Sequence, residues 1–225
     1  MTTIQLEHIE DFTAHEWCNK LLSDPSIVHI AKRNVQERRE GVSNTFFTRT
    51  LFTDGAIRGF LSLHRPGKGT VRDADDDAVF VGDAPIHDRF SSINAKEEQR
   101  QNAKVEIHYD VNDPDTSEAM ILVSIGHDVD GGTRRLHGGV TAALLDQVMG
   151  TLISYVYQHL CATSELTIQY KKAISTPCVL LCRTKLVREK GRWIETKGWI
   201  EDGHGTVFAE GLGSFVMSKL STSKI

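Results

Sequence analysis

Between residues 138 and 160 the apolar side chains (Val140, Ala142, Leu144, Leu145, Val148, Leu152, Ile153, Val156 and Leu160) point in nearly every direction around a helix, the pattern of a buried helix rather than a surface one. Two features interrupt it: the segment opens on Gly138-Gly139, and Asp146 lies within the apolar run. Residues 164–172 then alternate, with Leu166, Ile168 and Tyr170 on one face and Glu165, Thr167 and Gln169 on the other, which predicts a half-buried strand. Pro177 ends that pattern. Strands are predicted over 178–188, 193–201 and 206–217, separated by the turn signals Glu189-Lys190-Gly191-Arg192 and Asp202-Gly203-His204-Gly205, and together they form an antiparallel meander. Earlier strands are predicted at 119–126 and 57–63. A helix is predicted over 7–24, built on Ile9, Phe12, Trp17, Leu21 and Leu22 and stopped by Pro25. A long buried helix wrapped by a curved antiparallel sheet is an α+β arrangement.

The two interruptions carry the chemistry. A carboxylate inside an apolar helix sits in low dielectric, where it must be paired or hydrogen-bonded. Desolvation there raises its pKa toward the range of a general base. At the other end, Gly138 and Gly139 lack Cβ atoms and present N–H groups unpaired within the helix at its positive dipole end, the make-up of an oxyanion hole. The plainer reading is that His137 caps the helix and the glycines permit close packing. Gly138 and Asp146 are eight residues apart, about 12 Å at 1.5 Å per residue, whereas a base and an oxyanion donor both lie within about 3 Å of one reacting centre. One copy of the helix cannot supply both. Two copies packed antiparallel can, so a catalytic role predicts a homodimer or a dimer of dimers.

The run His137-Gly138-Gly139, six further residues and Asp146, followed by Thr163, by Leu166-Thr167-Ile168-Gln169-Tyr170-Lys171-Lys172-Ala173-Ile174 and by the meander, resembles the hotdog-fold acyl-CoA thioesterases, in particular the phenylacetate-pathway-like branch and related thioesterase superfamily members. The resemblance covers roughly residues 119–220. It implies a hotdog fold, with Gly138 offering its N–H to the thioester carbonyl, His137 and Gly139 beside it, and Asp146 as base or nucleophile. It also implies that Thr163 helps place the attacking water and that Asp146 and Thr163 reach a substrate held at Gly138 of the partner subunit; Ser164, beside Thr163, is the alternative hydroxyl. Some relatives carry an Asn six residues before the histidine, where this chain has Gly131, so one carbonyl contact is lost or supplied otherwise. The implied reaction is hydrolysis of an acyl-CoA or acyl-carrier thioester to acid and thiol. The same fold accommodates dehydratase or isomerase chemistry, with Asp146 moving a proton on carbon, and non-hydrolytic binding of an acyl ligand. Arg134, Arg135, Lys171 and Lys172 flank the predicted site, where they either meet the phosphates of coenzyme A or form a solvated rim.

A net charge of -4 over 225 residues, with no basic stripe, gives no pull toward nucleic acid or anionic membrane. Cys18, Cys161, Cys178 and Cys182 have neither metal-ligand spacing nor the density of a disulfide framework, so they read as core thiols in a reducing compartment. No metal or cofactor is expected: Asp75-Asp76-Asp77 are consecutive and do not converge on one ion. The phosphate-loop reading of Arg65-Pro66-Gly67-Lys68-Gly69-Thr70 fails because Ser62 stands where the first glycine belongs. Apolar runs too short for a bilayer and an acidic N-terminus (Glu7, Glu10, Asp11) predict a soluble, intracellular protein. The C-terminal Ser223-Lys224-Ile225 is one residue from a peroxisomal Ser-Lys-Leu address. The expected organisation is an N-terminal helical extension (1–56), a hotdog domain (57–220) with a charged loop insertion at about 65–104, and a tail (221–225).

Overall fold

The computed structural model describes residues 7–33, 44–69, 106–157 and 160–218. The tail bearing Ser223-Lys224-Ile225, Asp75-Asp76-Asp77 and all but the first residues of the charged insertion lie outside the described residues. In chain order the elements are α1 (Glu10–Thr13), α2 (Glu16–Leu22), β1 (His29–Lys32), a π-helical turn (Phe46–Leu51), β2 (Ile57–Arg65), β3 (Glu106–His108), β4 (Glu118–Ile125), the β5–β6 hairpin (Asp130–Gly132, Arg135–Leu136), α3 (Gly138–Tyr157), β7 (Cys161–Tyr170), β8 (Cys178–Lys190), β9 (Trp193–Glu201) and β10 (Val207–Met217). An antiparallel sheet runs in the order β1-β2-β4-β8-β9-β10-β7, with β3 also pairing to β8. The predicted meander is β8-β9-β10, closed at its first turn by Gly191 at φ 58°. This is the α+β, hotdog-like arrangement of one long helix against an antiparallel sheet.

The sheet is covered on both sides, which explains β4, every residue of which is buried. Ala119, Ile121, Val123 and Ile125 join the α3 core with Leu144, Leu145, Val148, Met149, Leu152 and Ile153. Met120 and Leu122 face the opposite way, onto Phe12, Cys18, Ile27 and Ile30 of the N-terminal segment. A continuous apolar run is thus a strand buried on both faces.

The N-terminal helical part is small. In place of one helix over 7–24 there are two short ones, broken at Ala14 and His15, the latter in extended geometry. Phe12 and Cys18, both fully buried, are six residues apart and would lie on different sides of a single helix; the break lets both reach the sheet. The strand β1, the π-helical turn, β3 and the β5–β6 hairpin carry no period that the sequence pattern detects. At 20 residues and a mean hydropathy of 1.3, α3 has the length and composition to cross a membrane, which corrects the reading that the apolar runs are too short; here Leu144, Leu145, Val148, Met149, Leu152 and Ile153 bury it against the sheet instead.

How closely α3 lies on the sheet is set by glycines on β9 and β10. A Cβ added to Gly198 would stand 2.8 Å from Met149 Cε, and one added to Gly213 would stand 2.6 Å from Met149 Sδ and 2.7 Å from the Phe215 ring. Gly213→Val should therefore lower stability by about 1–3 kcal/mol, the usual cost of overpacking a filled core. Urea unfolding with an unchanged slope and a lowered midpoint is the expected result; an unchanged midpoint would show that the glycine does not control the approach.

Candidate functional site

The start of α3 is held by His137. Its backbone carbonyl accepts from the N–H groups of Val140 and Thr141, at 2.9 and 3.1 Å, and its ring Nδ1 accepts from the Gly139 N–H at 2.9 Å. This is N-terminal capping by an imidazole instead of the usual small polar side chain. It also separates the two glycines: the Gly139 N–H is engaged, whereas the Gly138 N–H has no acceptor among the described residues. Gly138 is exposed. The structure therefore leaves one donor, not two, facing outward at the positive end of the helix. Gly131 packs against the same histidine, since a Cβ there would stand 2.9 Å from both Cα and Cδ2 of His137. A larger side chain at 131 has no room while His137 holds this position.

Two turns along α3, the Thr163 hydroxyl donates to Asp146 Oδ1 at 2.6 Å. Such a short bond to a charged acceptor is among the stronger kinds. Oδ2 has no partner among the described residues. Asp146 is half-buried rather than buried, because the side of α3 bearing Ala143, Asp146, Gln147 and Gly150 is turned from the sheet and only partly covered in a single chain. A helix apolar all round thus leaves one side for something other than its own sheet. Cys161, at the start of β7, feels the same carboxylate: burial pushes its thiol up to about 11, and the Asp146 charge adds to the shift. It stays protonated near neutral pH and does not compete as a nucleophile. Thr163 is the third residue of β7, which begins earlier than its alternation suggests.

A cavity of about 260 Å³ opens beside Gly138, lined by Leu136, Thr141, Tyr170, Lys172, Ile174 and Phe208 among others. Of the four basic residues of the expected rim, Lys171 and Lys172 line it. Lys171 is engaged with Glu210 at 2.9 Å, and that bond holds the Glu210 carboxyl below its ordinary range. Arg134 and Arg135 are exposed in the β5–β6 hairpin and are not among the lining residues. Arg134 adopts φ 54°, with its N–H donating to Asp130 Oδ2. Asp146 and Thr163 are likewise outside the cavity lining, as the helix rise requires.

Three contacts at this site have no signal in the sequence pattern. Tyr170, which the alternation puts on the buried face of β7, is 57% exposed, and its hydroxyl donates to the Gly138 carbonyl at 3.0 Å. The Phe208 carbonyl accepts from the N–H groups of both Lys171 and Lys172. Asn44 Nδ2 donates to Gln147 Oε1, beside Asp146, across 103 residues of chain.

Over residues 134–209 the sequence matches the family model of the thioesterase superfamily. Solved structures similar to the chain include a thioesterase superfamily protein (29% identity, covering 44% of this chain and 51% of that one, TM-score 0.41). Others are a Bacillus halodurans protein solved with CoA (30%, 44% and 66%, 0.41) and a hypothetical thioesterase protein with coenzyme A from Streptococcus pneumoniae (16%, 51% and 90%, 0.43). The chain thus spans about half the length of the first and 66% of the second. No curated protein matches it. The part of the chain that builds the site, from the β5–β6 hairpin through α3 and the meander to the start of β10, is the part that is similar to the thioesterase superfamily.

Proposed function

We propose that the protein hydrolyses an acyl thioester of coenzyme A or of a carrier protein, with Asp146 as general base and the Gly138 N–H as oxyanion donor. The observation that carries this reading is the pairing of Thr163 with Asp146 on the same helix that begins with a free, exposed Gly138 N–H. The Thr163 hydroxyl uses its proton on Oδ1, so its oxygen keeps lone pairs to accept from a water while Oδ2 remains to take that water's proton. The water oxygen attacks the carbonyl carbon, the carbonyl oxygen becomes an oxyanion held by the Gly138 N–H, and collapse expels the thiolate, which takes the proton that Asp146 had accepted from the water and so restores the carboxylate. Lys172 at the cavity border suits the anionic portion of the thiol carrier, with Lys171 beside it held by Glu210. His137, with Nδ1 accepting from Gly139, acts by holding the helix start. The first experiment is a panel of acyl-CoA substrates monitored for free thiol; ligand binding without thiol release would replace hydrolysis by an acyl-binding role.

Asp146→Asn keeps the size of the side chain but removes the base. It should lower kcat by about 100-fold or more while the Tm and the assembly state stay near those of the unsubstituted protein. Near-normal turnover in a folded variant would take Asp146 out of the mechanism.

The assembly follows from the same geometry. The roughly 12 Å between the helix start and Asp146 is bridged when two α3 helices lie antiparallel. The partly covered side of α3 and the edge strand β7, exposed over most of its length, suit a second copy. A Cβ at Gly138 would stand 3.6 Å or more from Tyr170, and Pro is tolerated at the first helical position, so Gly138→Pro removes the N–H with little else. Each homodimer of Gly138→Pro or of Asp146→Asn should be inactive. Mixing the two after unfolding and refolding should recover about a quarter of the original activity, since about half the dimers are hybrids with one intact site. No recovery in verified hybrids, or full activity in a monomer, would sink the shared site.

A further inference from the structure

The Gly138–Gly139 peptide is held from both sides. Its carbonyl accepts from the Tyr170 hydroxyl at 3.0 Å, and its N–H donates to His137 Nδ1 at 2.9 Å. The Tyr170 ring also lies against the same residue, 3.6–3.7 Å from where a Cβ on Gly138 would be. Tyr170 is the last residue of β7, and the chain just beyond it is anchored by the N–H groups of Lys171 and Lys172 on the Phe208 carbonyl, at 2.8 and 3.1 Å. The hydroxyl is therefore delivered from a fixed sheet position to the first turn of α3.

That turn is where restraint is needed. Two successive glycines have the widest backbone freedom, and first-turn N–H groups receive no intrahelical partner to hold them. A donor stabilises a developing oxyanion only if it is aimed beforehand, because reorganisation during the reaction cancels the gain. We infer that Tyr170 is a positioning residue: by bonding the Gly138 carbonyl while His137 bonds the Gly139 N–H, it fixes the peptide that follows Gly138 and so aims the unpartnered Gly138 N–H into the cavity. This rests on the reading of Gly138 as oxyanion donor. His137 takes part only with Nδ1 unprotonated, so its neutral ring carries the proton on Nε2.

Tyr170→Phe keeps the ring and removes only the hydroxyl. Two measurements on the full-length variant test the inference. In steady-state hydrolysis of an acyl-CoA, kcat should fall roughly 3- to 10-fold, the loss of one neutral hydrogen bond expressed as a rate, while KM changes less than twofold and Tm is retained. In protein labelled with ¹⁵N-glycine, the Gly139 amide should exchange with solvent several-fold faster than in the unsubstituted chain, whether or not any substrate is turned over. An unchanged exchange rate overturns the restraint itself. Faster exchange with an unchanged kcat overturns its catalytic use, and a rise in KM at constant kcat shows instead that the hydroxyl contacts substrate. If the unsubstituted protein hydrolyses no acyl thioester, the proposed function fails, and the exchange rates still decide whether Tyr170 restrains the peptide.

Discussion

The close approach of α3 to strands β9 and β10 is possible only where those strands carry no side chain toward it. Gly198 and Gly213 meet Met149, and Gly211 lies opposite Leu145, where a Cβ would stand 3.4 Å from its Cδ1. A helix drawn against the sheet in this way buries one side completely and turns Asp146 to the border of that side. The carboxylate comes within reach of β7, the strand paired to β10, and Thr163 meets it there. Packing and site geometry thus have one cause.

The opposite face of the sheet is closed by different physics. Apolar residues of α1 and α2, with Ile27 after them, cover its centre, and a line of charges crosses it from strand to strand. Asp24 pairs with Arg65, Arg65 and Arg183 both pair with the nearly inaccessible Glu118, and Arg183 also pairs with Glu201. The guanidinium of Arg183 lies 5.3 Å from the centroid of the Trp199 ring. A carboxylate as buried as Glu118 is tolerated because two arginines satisfy it, one on each oxygen; removal of both would leave a buried uncompensated charge. The pairs join β2, β4, β8 and β9, the strands on which α3 rests, so the layer remote from the site supports it.

At the site itself the groups are divided by the helix rise. The capped helix start, the cavity, Tyr170 and the two lysines form one cluster, and Asp146 with Thr163 forms another. The edge strand β7 carries a member of each cluster, Tyr170 of the first and Thr163 of the second. A catalytic reading requires the clusters of two chains to face one another.

Local pattern determined the long helix, the strand after it, the meander and the two strands before it, because each either repeats its apolar positions at the period of its own backbone or, like α3 and β4, is a continuous apolar run of helix or strand length. The same adjacency in sequence placed His137, Gly138 and Gly139 together at a helix start and Asp146 two turns on. Tertiary structure alone decided which element covers which side. It broke the N-terminal helix so that Phe12 and Cys18 both reach the sheet, buried β4 on two faces and left Asp146 only half-buried. It also turned Tyr170 outward onto the Gly138 carbonyl and bound Lys171 to Glu210. The partners in these contacts lie 17 to more than 100 residues apart, as Thr163 with Asp146 and Asn44 with Gln147 show. A repeat in the chain reports which side of an element avoids water; the surface that meets that side is set by how all the elements pack at once.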